Sequence, residues 1–104
     1  MTYQLGGPDF IPFGDGIVAS SRMYLPNSIK KTVVYLGSDE GWLFPVIMLP
    51  SDRDNSYPGL LVRDDELWIS YYSSHDCKKY LRDWASIYLA KIPLEMLQNQ
   101  TPVL

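Results

Sequence analysis

The chain has 104 residues, of which 46% are hydrophobic and 20% charged, and this length and composition indicate a folded domain rather than a disordered chain. Its formal net charge of -3 argues against a nucleic-acid partner, since such proteins concentrate Lys and Arg on one face, and no apolar run is long enough to predict a membrane span. One cysteine and one histidine fall short of a disulfide or a zinc site, so we expect no metal and no other cofactor.

Short apolar runs rich in Val, Ile, Tyr and Trp, separated by Gly, Pro, Asp and Asn, predict an all-β fold of antiparallel strands. The turns between the runs contain Gly and Asp, which tolerate positive φ or bond their own backbone. Residues 94–98 could form a short helix or a frayed end. In chain order, we expect strands at residues 10–13, 17–24, 32–36, 43–49, 57–63, 67–72 and 86–91.

The expected turn at residues 37–44, GSDEGWLF, is similar to the Asp box, which joins the third and fourth strands of a propeller blade. Asp39, Gly41 and Phe44 fall in register with the pattern S/T-x-D-x-G-x-T-W/F, whereas Gly37 and Leu43 stand where hydroxyl residues are usual. In such a turn the aspartate accepts backbone N–H groups and the aromatic ring fills the core of the blade. The motif therefore predicts a role in folding, remote from catalysis.

Together with four other segments, this turn resembles the last two blades of a sialidase-like β-propeller of the neuraminidase superfamily, a family of glycoside hydrolases and their relatives. The resemblance implies antiparallel four-stranded blades in a partial propeller. Because a propeller needs at least about four blades to close, it also implies that the remaining blades, or further copies of the chain, are partners. The segments are GGPDF at 6–10, SYPGL at 56–60, LWISYYSSH at 67–75 and SIYLAKI at 86–92. The implied divisions are a single partial propeller at 1–104, with one complete blade at 8–50, three strands of the terminal blade at 56–92 and a tail at 93–104.

Tyr57 is the residue to which the resemblance gives a catalytic role. Sialidases use a tyrosine nucleophile, because a phenol approaches an anionic sugar with less repulsion than a carboxylate would, and this tyrosine begins an inner strand of the closing blade. The segment 56–72 fits that layout with Tyr57 at the position of the nucleophile. The resemblance puts the base and the acid that a phenol needs upstream, in other blades. Tyr57 is also one of eight tyrosines in a β-rich chain, so a packing role stays open.

Three further residues are candidates for substrate binding. Arg22 lies near the place where sialidases have an arginine of their carboxylate-binding triad, although an ion pair with a surface aspartate is the alternative. His75 follows the sixth strand, where it would donate a hydrogen bond to a sugar or bond a backbone group. Trp84 ends a segment longer than the family usually has, and it would stack on a sugar if that segment lies over a cleft rather than forming a plain surface loop.

The sequence leaves three functions open. The first is the C-terminal segment of a sialidase-like exo-glycosidase acting on glycans, which we expect to be inactive as an isolated chain. The second is a non-catalytic glycan-binding or structural propeller module, which Pro58 favours because sialidases commonly have a small hydroxyl residue after the tyrosine. The third is an independent small β-sandwich, for which about seven strands suffice. An enzyme or a glycan-binding module implies a carbohydrate ligand, and no feature indicates a compartment.

Overall fold

The computed structural model of the chain describes residues 5–38, 42–51, 55–74 and 86–98. Within these ranges the protein consists of antiparallel strands and one short helix, which confirms the all-β prediction. No helix in the described ranges is long and apolar enough to cross a membrane. The elements are β1 (Leu5–Phe13), β2 (Gly16–Leu25), β3 (Ile29–Gly37), β4 (Leu43–Met48), β5 (Asn55–Arg63), β6 (Glu66–Ser73), β7 (Ser86–Pro93) and α1 (Leu94–Gln98).

The strands form two sheets. The first sheet has the order β1-β2-β3-β4 and the second has the order β5-β6-β7, so that neighbours along the chain are neighbours in space. Each strand lies where the sequence predicted one, but β1 begins at Leu5 rather than at Phe10. Glycine and proline at positions 6–8 disfavour a regular strand, but a β-bulge between Gly6 and Asp9 takes them into β1.

The tight turns use residues with positive φ. Asp64 and Asp65 have φ values of 54° and 59°, which is the mirror-image turn that matches the twist of a hairpin. Gly14 has a φ of 58° in the corresponding turn between β1 and β2. These hairpin turns lie where the sequence predicted them, because glycine and aspartate are residues that tolerate such conformations.

The two hairpins have the same strand pairing. Each residue pair of the β1–β2 ladder has a counterpart in the β5–β6 ladder at a constant offset of 50 residues. The correspondence includes the bulge, which interrupts β1 between Gly6 and Asp9 and interrupts β5 between Ser56 and Gly59. The two sheets therefore repeat one structural unit.

The sheets pack through unlike faces of this unit. Val18 and Val34 of the first sheet form one apolar cluster with Leu67 and Ile69 of the second sheet. The counterpart of Val18 in the second sheet is Trp68, which points away from Ile69 because successive residues of a strand face opposite sides. A sandwich with two-fold symmetry would bring corresponding faces together. Here the arrangement is head-to-tail, which leaves the Trp68 face of the second sheet on the outside.

Polar groups also join the sheets. The hydroxyl of Thr32 donates a 2.7 Å hydrogen bond to Oδ1 of Asn55, and the backbone N–H of Leu60 donates a 3.0 Å bond to Oδ2 of Asp9. Strand β5 thus lies against the first sheet, in contact with β1, β2 and β3. Leu97 of α1 is buried in the apolar cluster between the sheets and so holds the end of the chain to the core.

Candidate functional site

The start of β5 defines one edge of the protein. Antiparallel pairing puts the starts of β1 and β3 and the ends of β2 and β4 at one edge of the first sheet, and the starts of β5 and β7 and the end of β6 at one edge of the second. These two edges lie together, because Gly7 is beside Ser56 and Thr32 bonds Asn55, and we call them the Tyr57 edge. The turns at 14–15 and 64–65 lie at the opposite edge, which we call the hairpin edge.

Tyr57 combines an exposed side chain with an unfavourable backbone. The residue is 72% exposed, and it lies in the bulge of β5 with a φ of 52°. A left-handed conformation costs an ordinary L-residue about 1–2 kcal/mol, and residues that keep such strain cluster at functional sites. A tyrosine that only packed in the core would be buried, so its phenol is available to a ligand.

Two neighbours contact the ring of Tyr57. The ring of Tyr72 stacks on it with a centroid separation of 6.1 Å and an interplanar angle of 24°. Gly7 lies on the β1 side, where a Cβ atom would be 3.0 Å from Cδ1 of Tyr57 and 2.6 Å from Oγ of Ser56. The absence of a side chain at position 7 therefore makes room for the tyrosine ring.

Arg22 lies at the same edge. It is opposite Gly6 on β1 and opposite Thr32 on β3, so its side chain shares the face on which Thr32 bonds Asn55 of β5. Its Nε is buried and has no hydrogen-bond partner among the described residues, while its guanidinium carbon lies 5.1 Å from the ring centroid of Tyr24. A buried donor without a partner is costly, so this guanidinium is suited to receive an anionic acceptor.

A network of hydrogen bonds supports the start of β5. The backbone N–H of Thr32 donates to Oγ of Ser51 at 2.8 Å, and Nζ of Lys31 donates to the carbonyl of Ser51 at 2.7 Å. Nδ2 of Asn55 donates to the carbonyl of Lys30 at 3.1 Å. Satisfied polar networks of this kind rigidify the backbone that they hold. The residues leading into Tyr57 are therefore fixed to the first sheet.

Among the described residues, charge is unevenly distributed between the two edges. Arg22, Lys30 and Lys31 lie toward the Tyr57 edge. The hairpin edge carries most of the acidic residues that the structure describes, although Arg63 and Lys91 lie there too. A local excess of positive charge attracts anions at short range even in a chain of negative net charge. The acidic residues toward the hairpin edge are Asp15, Asp64, Asp65, Glu66 and Glu95.

Some of the other residues singled out from the sequence lie outside the described ranges. His75 and Trp84 lie outside the described residues, as do Asp39 and Gly41 of the turn that is similar to an Asp box. The residues that flank this turn are bonded to each other, since the backbone N–H of Ser38 donates to the carbonyl of Trp42 at 2.9 Å and the N–H of Trp42 donates to Oγ of Ser38 at 3.4 Å. Phe44 is half-buried and lines an apolar cavity of about 240 Å³ with Phe13, Leu36 and Leu97.

The sequence analysis missed Gly7 and Tyr72 as neighbours of Tyr57. The signal that could have found Gly7 is the weak repeat at an offset of 50 residues, in which Pro8, Asp15 and Ser20 recur as Pro58, Asp65 and Ser70. The repeat aligns Gly7 with Tyr57 and so predicts that both lie in bulges. Tyr72 could have been found from the strand pairing, which puts it opposite Ser56.

The described residues contain no group of three or more His, Cys, Asp or Glu side chains arranged to hold a metal ion. No protein-family model, curated protein or solved structure matches this chain. The chemistry of the site therefore has to be inferred from the exposed phenol of Tyr57, the guanidinium of Arg22 and the positive charge around them.

Proposed function

We propose that the chain forms two adjacent blades of a sialidase-like β-propeller and that its Tyr57 edge binds a carboxylated sugar of a glycan. One observation carries this proposal: an exposed phenol on a strained bulge lies at the same edge as an arginine whose Nε has no partner among the described residues. The positive charge of Arg22, Lys30 and Lys31 supports an anionic ligand.

Each of these residues has a defined role in the proposal. The planar guanidinium of Arg22 donates two parallel N–H groups to the sugar carboxylate. In a retaining hydrolysis the phenol oxygen of Tyr57 attacks the anomeric carbon, its proton passes to a base, and the glycosidic oxygen leaves with a proton from a general acid. The base and the acid would come from other blades. Following the resemblance, His75 donates a hydrogen bond to the sugar and Trp84 stacks on it.

A non-catalytic glycan-binding module is the second candidate, and one observation favours it. Asp9 lies in the middle of β1, and the start of this strand is at the Tyr57 edge. The Oδ2 atom of Asp9 accepts the backbone N–H of Leu60. The other described acidic residues lie toward the hairpin edge. The described part of the chain thus offers an arginine for a carboxylate but no base for the phenol, so by itself it suits binding, and turnover would need a base from another blade.

The outward face of the second sheet supports the proposal of further blades. Ile87 and Leu89 are 85% and 54% exposed, and Leu61 is 55% exposed. The corresponding face of the first sheet is covered by the second sheet, where Val34 is fully buried. Repeated head-to-tail packing gives a closed ring if the rotation between successive units closes, and an open array if it does not. We propose that the remaining blades, or further copies of the chain, cover this face. An independent two-sheet sandwich would leave it in water.

The binding proposal is tested by titrating the isotope-labelled chain with sialyllactose and with lactose, following backbone and arginine Nε signals by NMR. We expect saturable shifts at Gly7, Arg22 and Tyr57 with sialyllactose alone. Arg22→Lys keeps the charge but loses the planar fork, so it should abolish these shifts, whereas Arg63→Lys at the hairpin edge is the matched control and should preserve them. Equal shifts with both sugars would overturn the proposal.

Catalysis is tested separately with a fluorogenic sialoside. Turnover that Tyr57→Phe abolishes while the sialyllactose shifts remain would support the enzyme. Because the isolated chain is expected to be inactive in either case, this assay uses an assembly that also contains the remaining blades. Saturable binding without turnover in that assembly would support the non-catalytic module.

A further inference from the structure

We propose that Gly7 of β1 and Tyr72 of β6 are positioning residues that clamp the ring of Tyr57 between them and fix the direction of its phenol. The clamp itself follows from the geometry of the ligand-free protein. Its purpose rests on the proposed function, because a fixed phenol matters only if a ligand meets it.

Two bulges with similar backbone conformations lie side by side in the protein. Gly7 and Tyr57 are counterparts at the offset of 50 residues, and they have similar positive φ values of 60° and 52°. The two strands that carry them are in contact, with Gly7 beside Ser56 and Tyr57. One bulge therefore has no side chain where the other has a tyrosine. If position 7 also had a side chain, the two would compete for the same space.

Gly7 fits closely against the ring of Tyr57. A Cβ atom at position 7 would lie 3.0 Å and 3.2 Å from Cδ1 and Cε1 of Tyr57. Atoms of the glycine backbone thus form one wall for one edge of the ring. The ring of Tyr72 forms the other wall, stacked at a centroid separation of 6.1 Å. Tyr72 is held in turn by its place in β6, directly opposite Ser56 and beside Ile87 of β7.

The side chain of Tyr57 is held between two walls although most of it is exposed. A side chain that is 72% exposed ordinarily samples several χ1 rotamers. Two walls remove this freedom without burying the hydroxyl. Holding a reacting or binding group in one orientation before the ligand arrives lowers the entropy lost on binding, which is how positioning residues act. The positive φ of Tyr57 fits this account, because a glycine would relieve the strain but would remove the ring.

The clamp is tested in the ligand-free chain by measuring the χ1 populations and ring mobility of Tyr57 by NMR. We expect one dominant rotamer, with nuclear Overhauser contacts from the ring to the Gly7 α-protons and to the ring of Tyr72. Gly7→Ala should abolish the contacts to position 7 and average the rotamers. Gly14→Ala is the matched control, because Gly14 has a similar φ of 58° but no atom within 4 Å of its added Cβ. It should leave Tyr57 unchanged.

A second pair of variants keeps the test decisive if Gly7→Ala does not fold. Tyr72→Ala should average the rotamers of Tyr57, and Tyr72→Phe, which keeps the stacked ring, should restore the single rotamer. Averaged rotamers in the unsubstituted chain, or an unchanged Tyr57 in both Gly7→Ala and Tyr72→Ala, would overturn the clamp.

The positioning role is read from the affinity for sialyllactose. Releasing one ordered side chain should weaken binding by roughly 3-fold to 10-fold in Tyr72→Ala, with Tyr72→Phe close to the unsubstituted chain. An unchanged affinity despite averaged rotamers would overturn that role. If the unsubstituted chain binds no sialoside while the ring is still clamped, the proposed function fails and the clamp stands.

Discussion

The two hairpins, β1–β2 and β5–β6, have the same ladder, the same bulge and a two-residue turn, yet they differ in what covers them. Val18 of the first hairpin is fully buried between the sheets, whereas its counterpart Trp68 lies on the outward face with Nζ of Lys91 4.3 Å from its ring centroid. The backbone pairing of each hairpin is therefore set by the turn and bulge residues of that hairpin. Burial is set separately, by the order in which the sheets stack.

The bulges of the two hairpins can be compared in the same way. Gly7 and Tyr57 share a backbone conformation, but glycine adopts it without strain and tyrosine does not. The strained member is the exposed one and lies at the edge that also holds Arg22. The difference between the two bulges thus singles out Tyr57 within the candidate site.

The largest expected change in the free energy of unfolding comes from truncating side chains on the two faces of the second sheet, which differ in burial. Ile69 is fully buried between the sheets, so Ile69→Ala should lower the free energy of unfolding by about 2–5 kcal/mol through lost burial and a cavity. Leu89→Ala, on the outward face, should change it by less than about 1 kcal/mol. Urea unfolding of the three proteins measures both changes. Equal losses would mean that the two faces are covered alike.

A smaller effect separates crowding from backbone strain at the two glycines of the first hairpin. Both Gly7→Ala and Gly14→Ala place a side chain at positive φ, which costs about 1–2 kcal/mol. Gly7→Ala also forces its Cβ against Ser56 and Tyr57, which should add about 1–3 kcal/mol. The difference in urea midpoint between the two variants isolates the added cost, and a midpoint shared by both would contradict the close contact.

A gain in stability is expected from a substitution in one of the two hairpin turns. Asp65 has a φ of 59°, so Asp65→Gly should relieve strain and raise the free energy of unfolding by about 0.5–1 kcal/mol. Its counterpart Asp15 does not have a positive φ, and Asp15→Gly should give no gain. Thermal unfolding of both variants provides the measurement. A gain at Asp15 as large as at Asp65 would show that the two turns are alike.

The smallest effect concerns the surface ion pair of the second hairpin. Nε of Arg63 lies 3.6 Å from Oδ2 of Asp64, and both side chains are largely exposed. Asp64→Asn removes the charge while keeping a residue that tolerates positive φ, so the free energy of unfolding should change by less than about 0.5 kcal/mol. Urea unfolding at low and high salt measures it. A larger, salt-sensitive loss would mean that this turn depends on charge.

The strands and hairpin turns could be predicted from the sequence because they are local. Alternating apolar residues and the pair Asp64-Asp65 determine a strand and its turn without reference to the rest of the fold. The short helix at 94–98 was one of two alternatives in the sequence and is present as α1. The assignment of Tyr57 and Arg22 to one site came from a resemblance, and the geometry brings both to the same edge.

The bulges and the stacking of the sheets could not be predicted in the same way. Gly7 and Pro8 weaken a strand assignment, since the bulge that accommodates them depends on the neighbouring strand. The choice of face depends on contacts between sheets, and Val18 and Trp68 are both apolar enough for either side. Sequence spacing alone therefore could not say which face of the second sheet is outward.

The packing of unlike faces is the claim on which the proposed two-blade arrangement depends. It is tested most directly by nuclear Overhauser contacts from the methyl groups of Val18 in the labelled chain. The account predicts contacts to the side chains of the cluster that contains Leu67 and Ile69, and none to the indole of Trp68. Contacts between Val18 and the indole of Trp68 would bring corresponding faces together and contradict it.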